Sequence, residues 1–145
     1  MDPRLQYLLD EREIIDLTHR YCWAVDALDR AQMARVFLPD ATADYGAATL
    51  VGFDAIWTFL NTTLEGLQVS QHLLGSHQVT VTGDTGHVRS YLCAKQVRAT
   101  STGRRLISAT GKYEDDLVRA ADGWRIKHRR FTLQWVEADP RGPGG

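Results

Sequence analysis

Two residues of this 145-residue chain, Asp26 and His72, have the chemistry needed for proton transfer. Asp26 lies beside the apolar face at the end of the first predicted helix, and His72 lies at the entry to the first long predicted strand. A carboxylate beside an imidazole stabilises the imidazolium and orients the ring, so the histidine becomes a better general base. Such a pair could take a proton from carbon or hydroxyl without a metal or cofactor. A solvated helix-end aspartate and a strand-edge histidine are the ordinary readings, and spacing alone does not bring the two together.

The remaining ionisable residues give no pattern for a metal or a cofactor. His72 and His77 are five apart on a predicted strand, which puts them on opposite faces and makes them a poor metal pair. Cys22 and Cys93 make no disulfide framework and lack metal-ligand spacing. The chain has no glycine-rich phosphate loop, no Gly-x-Ser-x-Gly elbow and no Cys/His cluster. We therefore expect no metal and no cofactor, and the other histidines are expected at the surface or in the core: His19, His87 and His128.

Two further groups give weaker chemical signals. Tyr45 follows Asp44 on a predicted strand and could offer a phenol to a pocket, although a tyrosine packed in the core is the ordinary reading. Residues 127–130 read Lys-His-Arg-Arg within an alternating segment, so half of them are expected to face solvent. One of the arginines could then turn inward and hold an anion or an oxyanion.

The first half of the chain is predicted to be mainly helical. Apolar residues recur at threes and fours from about Pro3 to Leu28, which is the period of an amphipathic helix, and Pro3 fits the first helical position. A second short helix is predicted at 31–38, ended by Pro39. A strand at 43–51 follows, and helical spacing returns from 53 to 65.

The second half changes from helical spacing to alternation. Four long segments rich in Val, Thr, Ile, Tyr and Trp, at 68–82, 86–100, 104–119 and 123–136, are joined by short turns that contain glycine. This pattern predicts an antiparallel meander. Helices followed by strands indicate an α+β fold with the helices on one face of the sheet. A long sheet that curls around helices leaves a cone-shaped interior, where a small apolar ligand could bind.

Length and composition limit the functional classes. The 145 residues, 43% of them hydrophobic, suit a single domain, placed at 1–138, with a flexible Pro/Gly-rich tail at 139–145. The 17 Lys and Arg residues against 18 Asp and Glu residues argue against a nucleic-acid binder. No apolar stretch approaches the roughly 18 residues of a membrane helix, and the N-terminus lacks signal-peptide features. We therefore expect a cytoplasmic protein without nucleic-acid or membrane partners.

Four features follow one another along the chain: a long helix ending near Asp26, Asp44-Tyr45 on a strand, Gln-His-x-x-Gly at 71–75, and Asp-Gly-Trp-Arg-Ile at 122–126. Over residues 5–136 this order resembles the SnoaL-like branch of the NTF2-like superfamily, above all scytalone dehydratase and hexachlorocyclohexane dehydrochlorinase. The resemblance implies a cone-shaped α+β barrel of the NTF2-like or cystatin-like kind, with a curved antiparallel sheet wrapped around N-terminal helices.

The resemblance also implies roles for individual residues. His72 matches the catalytic base and Asp26 the carboxylate that orients it, while Tyr45 matches the dehydratase tyrosine that polarises a carbonyl through water. Arg129 falls near the dehydrochlorinase arginine that stabilises the leaving group, although strict alternation puts it opposite Trp124 unless a β-bulge intervenes. The dehydratase's second histidine has no counterpart at 92–97, which argues against scytalone as substrate. The pocket is expected to be lined by Tyr21, Cys22, Trp57, Tyr91 and Thr110.

The expected function is therefore a cofactor-independent lyase or isomerase, of dehydratase or cyclase type, acting on a cyclic or polyketide-like small molecule in a hydrophobic pocket. The alternative is a non-catalytic small-molecule-binding or assembly subunit, like the small subunits of ring-hydroxylating dioxygenases, with a pocket filled by its own side chains. Under either reading we expect a homo-oligomer, dimer or trimer, because the outer sheet face carries apolar residues.

Overall fold

A computed structural model describes residues 1–139, so the predicted tail lies outside the described residues from position 140 onward. The described residues fold as α+β, as the sequence predicts. The elements are the helices α1 (Pro3–Asp26), α2 (Arg30–Met33) and α3 (Phe53–Leu64), and the strands β1 (Phe37–Asp44), β2 (Thr49–Val51), β3 (Leu67–Thr82), β4 (Thr85–Thr100), β5 (Gly103–Ala120) and β6 (Gly123–Ala138). None of the helices in this range is long and apolar enough to cross a membrane.

Helix α1 begins and ends at identifiable signals. The Asp2 side chain accepts a hydrogen bond from the backbone N–H of Arg4, at 2.8 Å, and Pro3 opens the helix as predicted. The helix ends at Asp26, two residues earlier than predicted, because Leu28 takes a left-handed conformation with φ of 50°. The next helix starts at once, since the Asp29 side chain caps it through the backbone N–H of Gln32.

The segment after α1 differs most from the prediction. The helix expected at 31–38 covers only Arg30–Met33, and the strand expected at 43–51 instead begins at Phe37 and is divided into β1 and β2. Phe37, Ala41 and Ala43 are buried in alternation, which suits a strand. Pro39 lacks an N–H but lies where the ladder between β1 and β6 is interrupted, so a proline is tolerated there.

The four long strands β3 to β6 form the predicted antiparallel meander. The sheet order is β2-β1-β6-β5-β4-β3. The prediction was an antiparallel sheet, but β1 pairs with β6 in parallel, so the sheet is mixed. Strands β2 and β3 are its two edges, and the curved sheet is therefore open. It wraps around the helices, whose buried residues, including Ile14, Val25 and Ile56, pack against its inner face.

Candidate active site

The end of α1 and the start of β3 bring Asp26 and His72 into direct contact. Asp26 Oδ1 lies 2.6 Å from His72 Nδ1, and the same oxygen accepts a hydrogen bond of 2.9 Å from Ser70 Oγ. Asp26 Oδ2 accepts a third bond, of 3.0 Å, from the backbone N–H of His72. The carboxylate thus holds both the ring and the backbone of His72, which spacing alone could not predict.

The hydrogen bond at Nδ1 determines which nitrogen of His72 is available for chemistry. A carboxylate accepts hydrogen bonds, so Nδ1 carries a proton in this contact, and Nε2 has a free lone pair when the ring is neutral. The His72 side chain is only 7% exposed and the Asp26 side chain 20% exposed, so the contact is largely shielded from water. The Tyr21 ring packs nearly perpendicular to the imidazole, with 6.3 Å between the ring centroids.

His72 forms part of the wall of a cavity of about 200 Å³ that is open to solvent at one end. At its deep end lie Tyr21 and Tyr113, which are buried, and at its open end lie Thr63, Gln96 and Leu133, which are partly or largely exposed. Most of the wall between these ends is apolar and is supplied by helix α3 and the inner faces of three strands: Phe59, Leu60, Leu64, Leu92, Ala94, Ala109 and Phe131. An apolar cavity of about 150 Å³ can hold benzene, so this one has room for a small ring compound.

A buried arginine lies one layer behind the deep end of this cavity. Arg129 is fully buried and donates from Nε and Nη2 to the two carboxylate oxygens of Asp115, at 2.7 and 2.8 Å. Its guanidinium carbon lies 4.0 Å from the ring centroid of Tyr21 and 3.9 Å from that of Tyr113. Burial opposes its charge, but the neighbours of Arg129, chiefly the Asp115 carboxylate, together outweigh burial and raise the pKa of Arg129.

Arg129 reaches the interior because β6 carries a bulge at Lys127. Strand β5 pairs Asp116 with His128 and Leu117 with Ile126, so Lys127 is the additional residue. Trp124 before the bulge and Arg129 after it are both buried. The bulge that the sequence prediction required is therefore present, and it reverses the alternation between the two positions.

Tyr45 lies at the cavity wall, and its hydroxyl has an unmet capacity for hydrogen bonding. Within residues 1–139, the Tyr45 hydroxyl and Arg129 Nη1 are buried and neither makes a hydrogen bond of normal geometry, although Tyr45 lies close enough to Arg129 and Tyr21 for each to influence its pKa. The hydroxyls of Tyr21 and Tyr113 lie 3.2 Å apart and bond to each other. Burial raises the pKa of all three tyrosines, so at neutral pH each hydroxyl keeps its proton and can donate.

The other predicted lining residues divide into two groups. Tyr21 lines the cavity, whereas the buried Cys22 lies on the other side of the dyad, in a groove with His19, Trp23 and Asp26. Burial raises the pKa of Cys22 to about 11, so its thiol is neutral and a poor nucleophile at physiological pH.

Trp57, Tyr91 and Thr110 do not line the cavity, contrary to the prediction. Trp57 packs against the core from α3, while Phe59 of the same helix takes the lining position. Tyr91 is 59% exposed because it alternates with Ser90 and Leu92, whose side chains turn inward. Thr110 likewise alternates with Ala109 and Gly111, so it lies on the outer face.

His77 also departs from the prediction, since it lies on the same side of β3 as His72. The pairing of β3 with β4 shifts register between Gly75 and Gln78, and Ser76 takes a φ of 54°. His77 Nε2 consequently lies 2.8 Å from Thr18 Oγ1 of helix α1. Burial, with a smaller contribution from His19, lowers the pKa of His77.

Among residues 1–139, no three His, Cys, Asp or Glu side chains are arranged to hold a metal ion.

Sequence reasoning missed Asp115 and Tyr113, which hold Arg129 in place. The signal was present, because Tyr113, Asp115 and Leu117 occupy alternate positions of one predicted strand. Burial of Leu117 on the inner face requires burial of Asp115 as well, and a buried carboxylate requires a cationic partner. Arg129 is such a residue on the neighbouring strand.

The chain is similar to known proteins over most of its length. The SnoaL-like domain family matches residues 6–130 of the chain. An uncharacterised protein of Mycobacterium tuberculosis is 36% identical over 127 residues, which cover 85% of this chain and 84% of that protein.

Solved structures share the fold at lower identity. A candidate scytalone dehydratase from Novosphingobium aromaticivorans superposes with a TM-score of 0.80 at 20% identity, covering 96% of this chain and 97% of that one. A type 2 hexachlorocyclohexane dehydrochlorinase superposes with a TM-score of 0.82 at 17% identity, covering 98% of this chain and 99% of that one. The fold is that of the NTF2-like superfamily.

Proposed function

The chain belongs to the SnoaL-like domain family, and from this premise we propose that it is a cofactor-independent lyase or isomerase acting on a cyclic or polyketide-like small molecule. The observation that carries the proposal is the 2.6 Å contact between Asp26 and His72 at the wall of a mostly apolar cavity. A general base needs a free lone pair, and this contact leaves one on Nε2 of the neutral His72 ring.

In the proposed reaction, His72 Nε2 takes a proton from an acidic C–H of the bound ring. The electron pair of that bond forms a carbon–carbon double bond, either with loss of a leaving group or as an enolate. Asp26 stabilises the resulting imidazolium and keeps the ring in one orientation. In an elimination the leaving group departs with its electrons, and in an isomerisation His72 returns the proton to another carbon.

The deep end of the cavity would stabilise the negative charge that develops on the substrate. The Tyr45 hydroxyl is a buried donor that makes no hydrogen bond of normal geometry within the described residues, which suits an oxygen or halide atom of the substrate. Arg129 lies behind the tyrosines and would act through its field, which is strong in a water-poor interior. This assigns Tyr45 to direct contact and Arg129 to electrostatic support.

The names of two structural neighbours are compatible with this chemistry, since a dehydratase removes water and a dehydrochlorinase removes hydrogen chloride. Their identity to this chain is low, so the proposal depends on the geometry of the site. The alternative, a non-catalytic binding or assembly subunit, requires no dyad and leads to an interior filled by the protein's own side chains. A cavity of about 200 Å³ counts against an assembly subunit, and the contact between Asp26 and His72 is what favours catalysis over binding alone.

The proposal is tested by following proton abstraction directly. We expect the protein to accelerate exchange of the α-protons of cyclic ketones such as 1-tetralone in D₂O, measured by NMR, or elimination from halogenated cyclohexanes. His72→Ala should lower the rate by about 10²–10⁴-fold because the general base is lost. His87→Ala is the matched control, since His87 pairs with Asp116 at the surface. A His72→Ala protein with the wild-type rate would exclude His72 as the base.

A further inference from the structure

Two arginines face each other beyond the open end of the cavity, at the tip of the β4–β5 hairpin. Gln96 lines the cavity, and Arg98 is the next residue of β4 on the same face, about 7 Å further along the strand. Arg105 of β5 is directly opposite Arg98 in the ladder. An Arg98 guanidinium nitrogen donates to the backbone carbonyl of Thr63, at 3.3 Å, and Thr63 itself lines the cavity. Arg98 therefore reaches the open end of the cavity, and Arg105 lies beside it in the sheet.

Within residues 1–138 of the structure, no ion pair offsets the like charges of this pairing. Like charges directly opposite each other in a sheet are destabilising. No carboxylate among residues 1–138 forms an ion pair with either arginine. The contact with Thr63 gives Arg98 a role at the C-terminal end of α3, but Arg105 is exposed and has no such contact. An anion shared by both guanidinium groups would account for the pair.

We propose that Arg98 and Arg105 form an anion-binding rim, and that the substrate is an amphipathic acid whose ring enters the cavity while its anionic group stays at the mouth. A carboxylate is the simplest such group, because guanidinium matches its planar geometry. The proposal rests on the proposed use of the cavity as the substrate site. It places three groups in order along the cavity: the anionic group of the substrate at the mouth, His72 on the wall, and the Tyr45 hydroxyl at the deep end.

Binding of two matched probes tests the rim without requiring turnover. The probes are 6-phenylhexanoate and 6-phenylhexanamide, which carry the same ring and linker and differ in the charge of the terminal group. By isothermal titration calorimetry at low salt, wild-type protein should bind the acid about three- to tenfold more tightly than the amide, a range set by exposed ion pairs. The preference should shrink at high salt because the rim is open to solvent.

Variants distinguish binding of the acid by the rim from a general effect of the protein's net charge. Arg105→Gln should reduce the preference and Arg98→Gln with Arg105→Gln should abolish it, while affinity for the amide stays unchanged. Arg104→Gln removes the same charge from the neighbouring position, whose side chain lies on the outer face, and should keep the preference. Arg105→Gln alone should also fold normally, because the Arg105 side chain is exposed and the substitution relieves a like-charge pair.

Four results would overturn the rim: equal wild-type affinities for acid and amide, no binding of either probe, a preference that survives the double substitution, or an equal loss in Arg104→Gln. His72→Ala should retain the preference for the acid even though it lacks turnover. Failure of the rim and failure of the proposed chemistry therefore give different results.

Discussion

Asp26 accepts three hydrogen bonds from two residues of β3, and each one restricts a different part of the dyad. Ser70 Oγ and the backbone N–H of His72 fix the carboxylate plane, and His72 Nδ1 is then met by an oxygen that is already oriented. The side chain therefore acts as a positioning group that also compensates charge when His72 is protonated. Both functions require a carboxylate, and an amide of the same shape supplies neither of them fully.

Replacement of Asp26 by asparagine should separate shape from charge. The new amide can donate to His72 Nδ1, which favours the tautomer with the proton on Nε2 and removes the lone pair from the cavity. We expect Asp26→Asn to lower the rate of proton abstraction by about 10²–10⁴-fold. Nitrogen-15 NMR of His72 should show the proton on Nδ1 in the wild type and on Nε2 in the variant.

Asp16→Asn is the matched control for this change, because Asp16 lies on the same helix in an exposed ion pair with Arg12. It should leave both the rate and the His72 tautomer as in the wild type. An Asp26→Asn protein with an unchanged tautomer would show that the carboxylate does not orient the ring.

Single residues were predictable from the sequence to different degrees. Asp26 and His72 follow from residue type and motif, but their contact depends on how α1 crosses β3, which no local pattern contains. The inward position of Arg129 depends on the bulge at Lys127, and strict alternation gives the opposite face. For Tyr91 and Thr110, in contrast, strict alternation gives the correct face, because alternation with their buried neighbours places both side chains outside the cavity.

At the scale of elements, α1 is held against the sheet by a buried carboxylate near its start. Asp10 accepts two hydrogen bonds from Arg119 of β5, at 2.7 and 2.8 Å, and one of 3.1 Å from the indole N–H of Trp124 in β6. These bonds lower the pKa of Asp10 to about 2 despite its burial, with the Arg119 bonds as the largest cause. The start of α1 is thereby joined to two strands, so the course of α1 toward Asp26 is fixed from its far end.

This ion pair should make stability depend on pH in a defined direction. A depressed folded-state pKa means that Asp10 contributes stability above its unfolded value of 3.8, and that the contribution is lost as the pH falls toward 2. We expect Asp10→Asn to cost about 2 kcal/mol of unfolding free energy at pH 7, and the deficit to narrow between pH 4 and pH 2. Urea denaturation at a series of pH values measures both quantities.

Asp84→Asn provides the control, because Asp84 also pairs with Arg119 but is largely exposed. It should cost less than about 1 kcal/mol at every pH. A deficit in Asp10→Asn that stays constant down to pH 2 would mean that the charge of Asp10 contributes no stability.

Element order was predictable where a periodicity runs long, and it failed where a segment is short. The meander and helices α1 and α3 each extend over at least a dozen residues, so their apolar periods are distinct. The segment from Arg30 to Val51 holds a one-turn helix and two strands. The apolar residues at 31–38, where a helix was predicted, span only eight positions, and so short a pattern fits a helix and a strand equally well. The parallel pairing of β1 with β6 joins distant parts of the chain, and local patterns do not specify it.

At the scale of the whole molecule, the inner and outer faces of the sheet have different surroundings. The inner face packs against helices or lines the cavity. The outer face carries a row across four strands, Leu73, Cys93, Thr110 and Trp135, which are successive partners in the ladder, with Tyr91 beside it. Trp135 is 64% exposed. We define this set as the outer apolar row.

The outer apolar row is the surface on which we expect a second copy of the chain to pack. Contiguous exposed apolar surface of this kind marks association sites, and a net charge of −1 gives little repulsion between copies. Self-association through one face is also the commonest route to a symmetric dimer.

Sedimentation velocity on wild-type protein should therefore show a dimer or trimer. Trp135→Glu should shift the protein to monomer, because a carboxylate cannot be buried unpaired in such an interface. Trp23→Glu is the control, since Trp23 is 80% exposed on α1 and lies off the row. A monomeric wild type, or equal dissociation by Trp23→Glu, would exclude the row as the interface.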